Sequence, residues 1–167
     1  DVKPENIFIC APSQAEPDIC RVKLIDFGIA KELYTHAMLE STATGMFVGT
    51  VRTMSPECFL RWSEDRPLSG AVDQWALGVS LYVCLAGRLP FDPPALAVLV
   101  AQIESEPPPP LRLHPRLQLD RTPPEIEEII RRSLEKRPQD RYLSMRHMAL
   151  ALRAARRKAV VHLAAQL

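Results

Sequence analysis

Two short apolar runs near the start of the chain limit the fold more than any other feature of the sequence. Ile7–Cys10 and Val22–Ile25 are each about one strand long, and a polar connection with proline, serine and aspartate joins them over residues 11–20. Runs of this kind predict a β-hairpin with an exposed loop. After Glu57 the apolar spacing becomes helical, so we expect a mainly α-helical chain with one short hairpin.

Helical patterns account for most of the chain beyond Glu57. Val72–Leu85 is apolar on nearly all sides and predicts a buried central helix, with Gly87 just past its end. Thr122 is predicted to be the N-cap of a later helix that ends at Leu134, because two prolines follow it and Glu125 stands at the third helical position. Two further helices are predicted over residues 95–104 and from Leu143 to about His162.

Composition and charge exclude several classes of protein. The 167 residues suffice for one domain with a core, and 47% hydrophobic and 25% charged residues are ordinary for a globular protein. A net charge of +1 gives no overall field that favours nucleic acid or membrane. No apolar run approaches the roughly 20 residues of a spanning helix. We therefore expect a cytoplasmic chain with no membrane segment and no nucleic-acid partner, although a longer parent protein could be membrane-anchored.

Cysteine and histidine spacing gives no metal site. The four cysteines form no C-x-x-C pair, and the four histidines are scattered. Cys10 and Cys20 could face each other across the hairpin, but free thiols in a reducing compartment are the simpler expectation. Basic residues gather late in the last predicted helix, at Arg153, Arg156, Arg157 and Lys158. This cluster is either a solvated helix end, favoured by the helix dipole, or the approach to a linker or membrane anchor.

The first six residues, Asp1-Val-Lys-Pro-Glu-Asn6, contain the side chains that phosphoryl transfer needs. That reaction requires a group to orient the attacking hydroxyl, a cation near the moving phosphate and oxygen ligands for Mg²⁺. Asp1 could accept the hydroxyl proton, Lys3 could reach the same space, and Asn6 offers a neutral oxygen. Asp26 follows the second predicted strand, where its carboxylate could bind Mg²⁺, and Gly28 permits a sharp turn after it.

These stretches resemble the signatures of the protein kinase family, D-x-K-P-x-N and then D-F-G at residues 26–28. Three later stretches strengthen the resemblance. Residues 49–57 (Gly-Thr-Val-Arg-Thr-Met-Ser-Pro-Glu) resemble the end of a kinase activation segment. Residues 73–78 (Asp-Gln-Trp-Ala-Leu-Gly) resemble the start of the helix that anchors the catalytic loop. Residues 136–142 (Lys-Arg-Pro-Gln-Asp-Arg-Tyr) resemble a late motif whose arginine pairs with the glutamate of the S-P-E triplet.

The resemblance implies a role for each matching residue. It makes Asp1 the catalytic base, Lys3 the phosphate-stabilising cation, and Thr50 a residue that bonds both and favours Ser/Thr over Tyr substrates. The other implied roles are Mg²⁺ binding by Asn6 and Asp26, the floor beneath the adenine of ATP at Phe8, and structural support from Gly28, Asp73 and a Glu57–Arg141 pair. The implied cofactors are ATP and Mg²⁺, and the implied activity is transfer of the γ-phosphate to Ser/Thr hydroxyls of protein substrates.

The resemblance is strongest to bacterial, eukaryotic-like Ser/Thr kinases, through the phrase Lys-Leu-Ile-Asp-Phe-Gly-Ile-Ala-Lys at residues 23–31. It implies that at least one of the candidate sites Thr42 and Thr44 is phosphorylated within an activation segment at residues 26–57, where the added charge could order the loop against arginines. The alternative is an ordinary loop rich in Ser and Thr. One departure is Thr53, which stands where kinases of this type usually have Tyr, so substrate docking beside the S-P-E triplet is altered.

The resemblance is to the C-terminal lobe of a protein kinase, so the expected structure is one part of the α+β kinase fold. We expect this lobe over residues 1–157, with residues 158–167 as a helix end or the start of a linker. The N-terminal lobe, with its glycine-rich loop and strand lysine, is missing. We therefore expect it to be the partner of this chain in a longer parent. Alone, the chain is expected to transfer no phosphate and to expose apolar surface. The alternative is a pseudokinase or scaffold binding module. Pseudokinases usually lack a residue equivalent to Asp1, Asn6 or Asp26, and all three are present in this chain.

Overall fold

The structure, a computed structural model, describes residues 1–12, 20–26, 49–60, 69–117 and 122–164, without the side chains of 49, 50, 60 and 159–164. In these ranges two strands form the predicted hairpin and five α-helices follow it. The strands are β1 (Ile7–Ile9) and β2 (Val22–Leu24). The helices are α1 (Pro56–Leu60), α2 (Ala71–Ala86), α3 (Leu96–Ser105), α4 (Pro124–Ser133) and α5 (Met145–Ala164). The chain is therefore mainly α-helical, as its sequence predicts.

The hairpin is antiparallel, and Phe8 lies opposite Lys23 at its centre. The ladder continues past both strand ends. Cys10 N–H donates to the carbonyl of Arg21 at 2.8 Å, and Ile25 N–H donates to the carbonyl of Asn6 at 3.0 Å. The thiols of Cys10 and Cys20 are free. This pairing matters for function because it brings the residues just before β1 next to those just after β2.

Helix α2 lies at the centre of the core. Trp75, Val79 and Tyr82 follow one another at helical spacing and are almost fully buried. The helix ends in a left-handed glycine, Gly87 (φ 68°), whose N–H donates to the carbonyl of Val83 at 2.8 Å. A second core cluster joins α4 and α5 through Ile129, Met148 and Ala155.

The start of α4 differs from the sequence prediction. The helix begins at Pro124, and the N-cap position falls on Pro123. The predicted N-cap, Thr122, therefore lies one residue too early, and its buried hydroxyl has no hydrogen-bond partner in the described part of the chain. The physical reason is the proline pair. A residue before proline is disfavoured in helical geometry, while proline itself suits the first helical position.

The segment before α1 is more regular than its sequence suggests. Residues Gly49–Thr53 form a 3₁₀ helix, which the irregular sequence pattern did not predict. Arg52 in this helix forms an ion pair with Asp92, in the loop after α2. Among the described residues, no helix combines the length and apolar character needed to cross a bilayer.

Candidate active site

Asp1, Lys3 and Asn6 converge at the N-terminal end of the hairpin. Lys3 Nζ lies 2.6 Å from Asp1 Oδ2. Asn6 Nδ2 donates to the backbone carbonyl of Asp1 at 2.8 Å and approaches Asp1 Oδ2 at 3.4 Å. Since Nδ2 faces Asp1, the amide oxygen of Asn6 remains available to a cation. The structure thus brings together a carboxylate, an ammonium group and a neutral oxygen.

A short 3₁₀ helix at Pro4–Asn6 produces this arrangement. Pro4 occupies its first turn, where a fixed φ suits the helix and the missing N–H costs nothing. The turn closes when Asn6 N–H donates to the carbonyl of Lys3 at 2.9 Å. The turn folds Asn6 back towards Asp1. Asn6 itself is buried, at 7% exposure.

The hairpin brings Asp26 to the same end of the sheet. Because Ile25 is hydrogen-bonded to Asn6, the next residue, Asp26, leaves β2 beside the turn formed by residues 1–6. Asp26 is exposed. Carboxylate and amide oxygens are hard ligands that suit Mg²⁺, which keeps several of its waters and needs only one or two protein groups. The oxygens of Asn6 and Asp26 therefore fit this ion.

A small pocket opens behind Asp1. Asp1 shares its lining with Asp73 of α2, Thr53 of the 3₁₀ helix and Cys58 of α1. Thr53 is buried at 7% exposure, so a small side chain lines the pocket at the position where the resemblance to kinases led us to expect Tyr. The pocket connects the candidate catalytic carboxylate with the last residues of the 49–57 segment.

Arg141 holds the surrounding elements together. Its guanidinium group is buried and donates to both carboxylate oxygens of Glu57, at 2.7 and 2.8 Å. It also donates to the carbonyl of Ala71 at 2.8 Å and to that of Glu135 at 2.8 Å. The pair expected from the sequence is formed. It ties the start of α1 to the start of α2 and to the loop after α4, close to the pocket.

Comparison with known proteins agrees with this geometry. The model of the protein kinase domain family matches residues 1–151, most of the chain.

This chain belongs to the protein kinase domain family.

Among curated relatives, the kinase chain is 40% identical over 156 residues to the Ser/Thr-protein kinase Pkn1 of Myxococcus xanthus, covering 93% of this chain and 20% of the relative. It is 35% identical over 153 residues to the tyrosine-protein kinase MasK of the same species, covering 91% of this chain and 21% of the relative. The chain thus spans about a fifth of the length of these two relatives.

A solved structure supports the fold. The crystal structure of the Rad53 kinase domain and SCD2 aligns with 91% of this kinase chain and 46% of its own chain, at a TM-score of 0.56 and 27% identity. The partial coverage agrees with a chain that forms only part of a kinase fold.

Several predicted site residues lie outside the described part of the kinase chain. Gly28, Thr42 and Thr44 fall outside the described residues, as does the side chain of Thr50, whose backbone lies in the 3₁₀ helix Gly49–Thr53. Phe8 is described and is 58% exposed on the hairpin.

Two supporting side chains of the kinase chain were missed by the sequence reasoning. Gln74 makes a two-way clamp with the backbone of Tyr142: its Nε2 donates to the carbonyl and its Oε1 accepts from the N–H, both at 2.9 Å. A buried Gln in an otherwise apolar helix is the only signal that could have indicated a specific partner.

The other missed residue is Lys136. Its ammonium group donates to the carbonyls of Gln102 and Ile103 at the end of α3, at 3.2 and 2.7 Å. The same group lies over the rings of Phe91 and Trp75, at 4.5 and 5.0 Å from their centroids. Burial lowers the pKa of Lys136 to about 8, an effect that nearby glutamates oppose and Arg141 assists.

Proposed function

We propose that this chain is the catalytic C-terminal lobe, over residues 1–157, of an ATP-dependent protein Ser/Thr kinase. The observation that carries the proposal is the convergence of Asp1, Lys3 and Asn6 within hydrogen-bonding distance at one turn, in which Asn6 is buried. Membership of the protein kinase domain family over residues 1–151 supports the same assignment.

Asp1 is proposed to orient the attacking hydroxyl of the substrate. Its side chain is 13% exposed, and Lys3 Nζ holds one carboxylate oxygen at 2.6 Å. The other carboxylate oxygen can accept the hydroxyl proton. Lys3 is proposed to move from this ion pair towards the transferred phosphoryl group, where its charge offsets the negative charge that develops.

Asn6 and Asp26 are proposed to hold Mg²⁺ at the end of the hairpin. When bound there, the ion would offset the negative charge of the phosphates. The hydrogen bond between Ile25 and Asn6 supports this role, because it fixes the spacing between the two ligand-bearing segments. Phe8, on the exposed hairpin, is proposed to contact the adenine base.

The proposed preference for Ser/Thr substrates depends on the segment of residues 49–57. Thr50 lies in the 3₁₀ helix that leads into the pocket with Asp1 and is proposed to favour Ser/Thr hydroxyls of proteins. Thr42 and Thr44 are proposed phosphorylation sites in the intact protein, and Gly28 is proposed to let the chain turn after Asp26. Free thiols at all four cysteines support a cytoplasmic location.

The test is a chimera in which residues 1–157 replace the equivalent part of Pkn1, so that Pkn1 supplies the remainder of the kinase domain. We expect the chimera to transfer phosphate from ATP to serine and threonine of a generic protein substrate. Asp1→Asn should lower the rate at least about a hundredfold, since general base catalysis contributes roughly 10²–10⁴. Asp26→Ala should raise the Mg²⁺ concentration needed for half-maximal rate.

Glu5→Gln is the matched control, because it changes a neighbouring carboxylate that has no proposed catalytic role. Its rate should stay within about twofold of the unchanged chimera. Thermal melts show whether each protein is folded. A folded chimera without activity, or an Asp1→Asn variant with full activity, would contradict the proposal. Phosphotyrosine as the main product would contradict the Ser/Thr assignment alone.

A further inference from the structure

Helix α5 carries a concentration of positive charge that the proposed catalytic function does not use. Its twenty residues, Met145–Ala164, include four arginines and one lysine but no acidic residue. The whole chain has a net charge of only +1. A helix with five basic residues and no acid is unusual for a surface element, since mixed charges are the norm there.

Three of the arginines share one exposed stripe. Arg146, Arg153 and Arg157 are all exposed. Residues three or four positions apart in a helix are neighbours on its surface, so Leu150 lies between Arg146 and Arg153 in the same row. Leu150 is 50% exposed, and Leu143, just before the helix, is 86% exposed. We call these five residues the α5 stripe; from Arg146 to Arg157 it is about 16 Å long.

The arginines of the stripe are not explained by contacts within the described part of the chain. There Arg146, Arg153 and Arg157 make no hydrogen bond or ion pair. By contrast Lys158, on the neighbouring face of α5, pairs with Glu125 of α4 at 3.2 Å. Arg153 and Arg157, four residues apart, repel each other, which costs the helix stability. Three unpaired guanidinium groups in one row therefore need another explanation.

The helix dipole explains only part of the stripe. Cations are favoured near the C-terminal end of a helix, which suits Arg157. Arg146 is the second residue of α5, at the positive end of the dipole, where a cation is unfavourable. Because the stripe includes an arginine at the N-terminal end of α5, a ligand that contacts the whole length of the stripe explains it better than the dipole does.

We propose that the α5 stripe binds an acidic amphipathic helix of a partner protein. Arginine forms planar, two-pronged hydrogen bonds with carboxylates, so three arginines in a row fit a row of Glu or Asp side chains. The two exposed leucines provide apolar contact between the charged positions. A partner helix with acids and leucines at the same spacing would match both features.

An acidic helix fits better than an anionic membrane surface. The neighbouring helix α4 exposes Glu127 and Glu128, and the ion pair between Lys158 and Glu125 places α4 directly beside α5. Glu128 is paired with Arg131, whereas Glu127 makes no ion pair within the described residues and leaves negative charge exposed on α4. A flat anionic surface would also approach the acids of α4, whereas a single helix can lie along the α5 stripe alone.

The test measures binding of a fluorescent synthetic helix of about 20 residues that carries Glu and Leu along one face, with the 167-residue chain as receptor. A version with Gln at every Glu position is the peptide control. We expect anisotropy to show binding of the Glu peptide only, weakening as NaCl rises from about 50 to 300 mM. Arg153→Glu should lower the affinity about fivefold, and Leu150→Gln about threefold.

Arg156→Glu is the matched control, because Arg156 is exposed on the same helix but lies about 100° around the helix axis from Arg157, outside the five residues of the stripe. Its affinity should change less than about twofold. Equal losses for Arg153→Glu and Arg156→Glu would overturn the proposal, since diffuse charge would then explain binding. Absence of peptide binding would also overturn it. Vesicles of phosphatidylcholine with about 30% phosphatidylserine are tested in parallel. Binding to vesicles without binding to the peptide would assign the stripe to a membrane instead.

Discussion

Arg141 is the residue on which the arrangement around the site most depends. Its guanidinium group is 1% exposed and reaches the side chain of Glu57 and the carbonyls of Ala71 and Glu135. A charge buried to this extent is stable only while all of its partners stay in place. Loss of any one of them leaves polar groups unpaired in the interior, so the three segments are coupled through one side chain.

Arg141→Ala should lower the free energy of unfolding by about 3 kcal/mol or more, the cost of removing one partner from a buried ion pair. Arg131→Ala is the matched control, because Arg131 also bonds two glutamates but is 56% exposed. Its loss should cost less than about 1 kcal/mol. Urea denaturation measures both. Similar costs for the two variants would show that the buried pair is no more important than a surface pair.

Lys136 makes the free energy of unfolding depend on pH in the alkaline range. The pKa of Lys136 is lowered to about 8 by burial, from an ordinary value near 10.5. Between these values the unfolded chain holds a proton that the folded chain has released, so stability rises with pH. Below pH 8 both states are protonated, and the folded state carries the full cost of the buried charge.

The expected result is that wild type gains stability relative to Lys136→Met as pH rises from 8 towards 10.5. Other titrating groups are common to both proteins and cancel in the difference. These include Tyr142, whose pKa is raised by burial. Urea unfolding at several pH values provides the measurement. The lowered pKa would be contradicted if the difference in free energy of unfolding between the two proteins stayed constant across this range. It would also be contradicted if wild type lost stability relative to Lys136→Met as the pH rises.

For individual residues, the sequence predicted contacts between residues that stand in recognisable motifs. It did not predict contacts between residues outside such motifs. The Glu57–Arg141 pair was predictable because both residues stand in recognisable motifs. The clamp between Gln74 and the Tyr142 backbone was not, since an amide and a peptide group 68 positions apart leave no pattern in the sequence. The N-cap prediction at Thr122 was wrong because the effect of two prolines outweighed the preference for a hydroxyl.

Among the elements, α2 and α4 lie close together at Gly78. A methyl group at this position would overlap the hydroxyl of Ser133 and lie 3.0 Å from Ser133 Cβ and 3.2 Å from Leu134 Cδ2. Glycine in the middle of a helix costs about 1 kcal/mol relative to alanine. The close contact between the two helices offsets this cost, which explains why α2 keeps a glycine inside a strongly helical sequence.

Gly78→Ala should therefore destabilise the chain by about 1–3 kcal/mol, despite the better helix propensity of alanine. Adding Ser133→Ala should recover part of the loss by removing the hydroxyl that clashes. The matched control is Gly70→Ala, at the N-cap of the same helix, where a methyl group has open space. That change should cost less than about 1 kcal/mol. If Gly78→Ala were stabilising by urea denaturation, the helices would have to be further apart than described.

The existence of the main elements was predictable, and their boundaries were less so. The hairpin, α2 and α3 agree with prediction to within one residue, because apolar spacing and flanking Gly or Pro mark them clearly. The start of α5 is two residues later than predicted, and α1 was not predicted. Five residues are too short to show helical periodicity, so α1 depends on contacts that lie far away in sequence, above all that of Glu57.

On the scale of the whole molecule, the hairpin carries the largest group of exposed apolar side chains among the described residues. Ile9 and Val22 face each other across the strands at 67% and 63% exposure, and Ile25, at the opposite end of the hairpin, is 59% exposed. Apolar side chains clustered on a sheet are typical of surfaces that another segment covers. The exposed apolar surface agrees with the expectation from the sequence, and we expect it to promote association between isolated chains.

Ile9→Thr combined with Val22→Thr should reduce self-association of the 167-residue chain, while the β-branched side chains keep the strands intact. Light scattering over a range of protein concentrations measures the effect, and the expected result is a lower apparent mass at each concentration. Leu143→Thr is the control, since it removes a single exposed leucine elsewhere. Equal improvement in both variants would show that association does not depend on the hairpin.

The charge on α5 has a consequence that the net charge conceals. With +5 on this helix and +1 overall, the remainder of the chain carries −4. Positive charge concentrated on one helix, with the compensating negative charge spread over the rest of the chain, gives the protein an uneven charge distribution. In solution such a molecule turns in the field of a charged partner before contact, which raises the rate of productive encounters and makes that rate fall as salt increases. A nearly neutral protein can in this way have a preferred direction of approach.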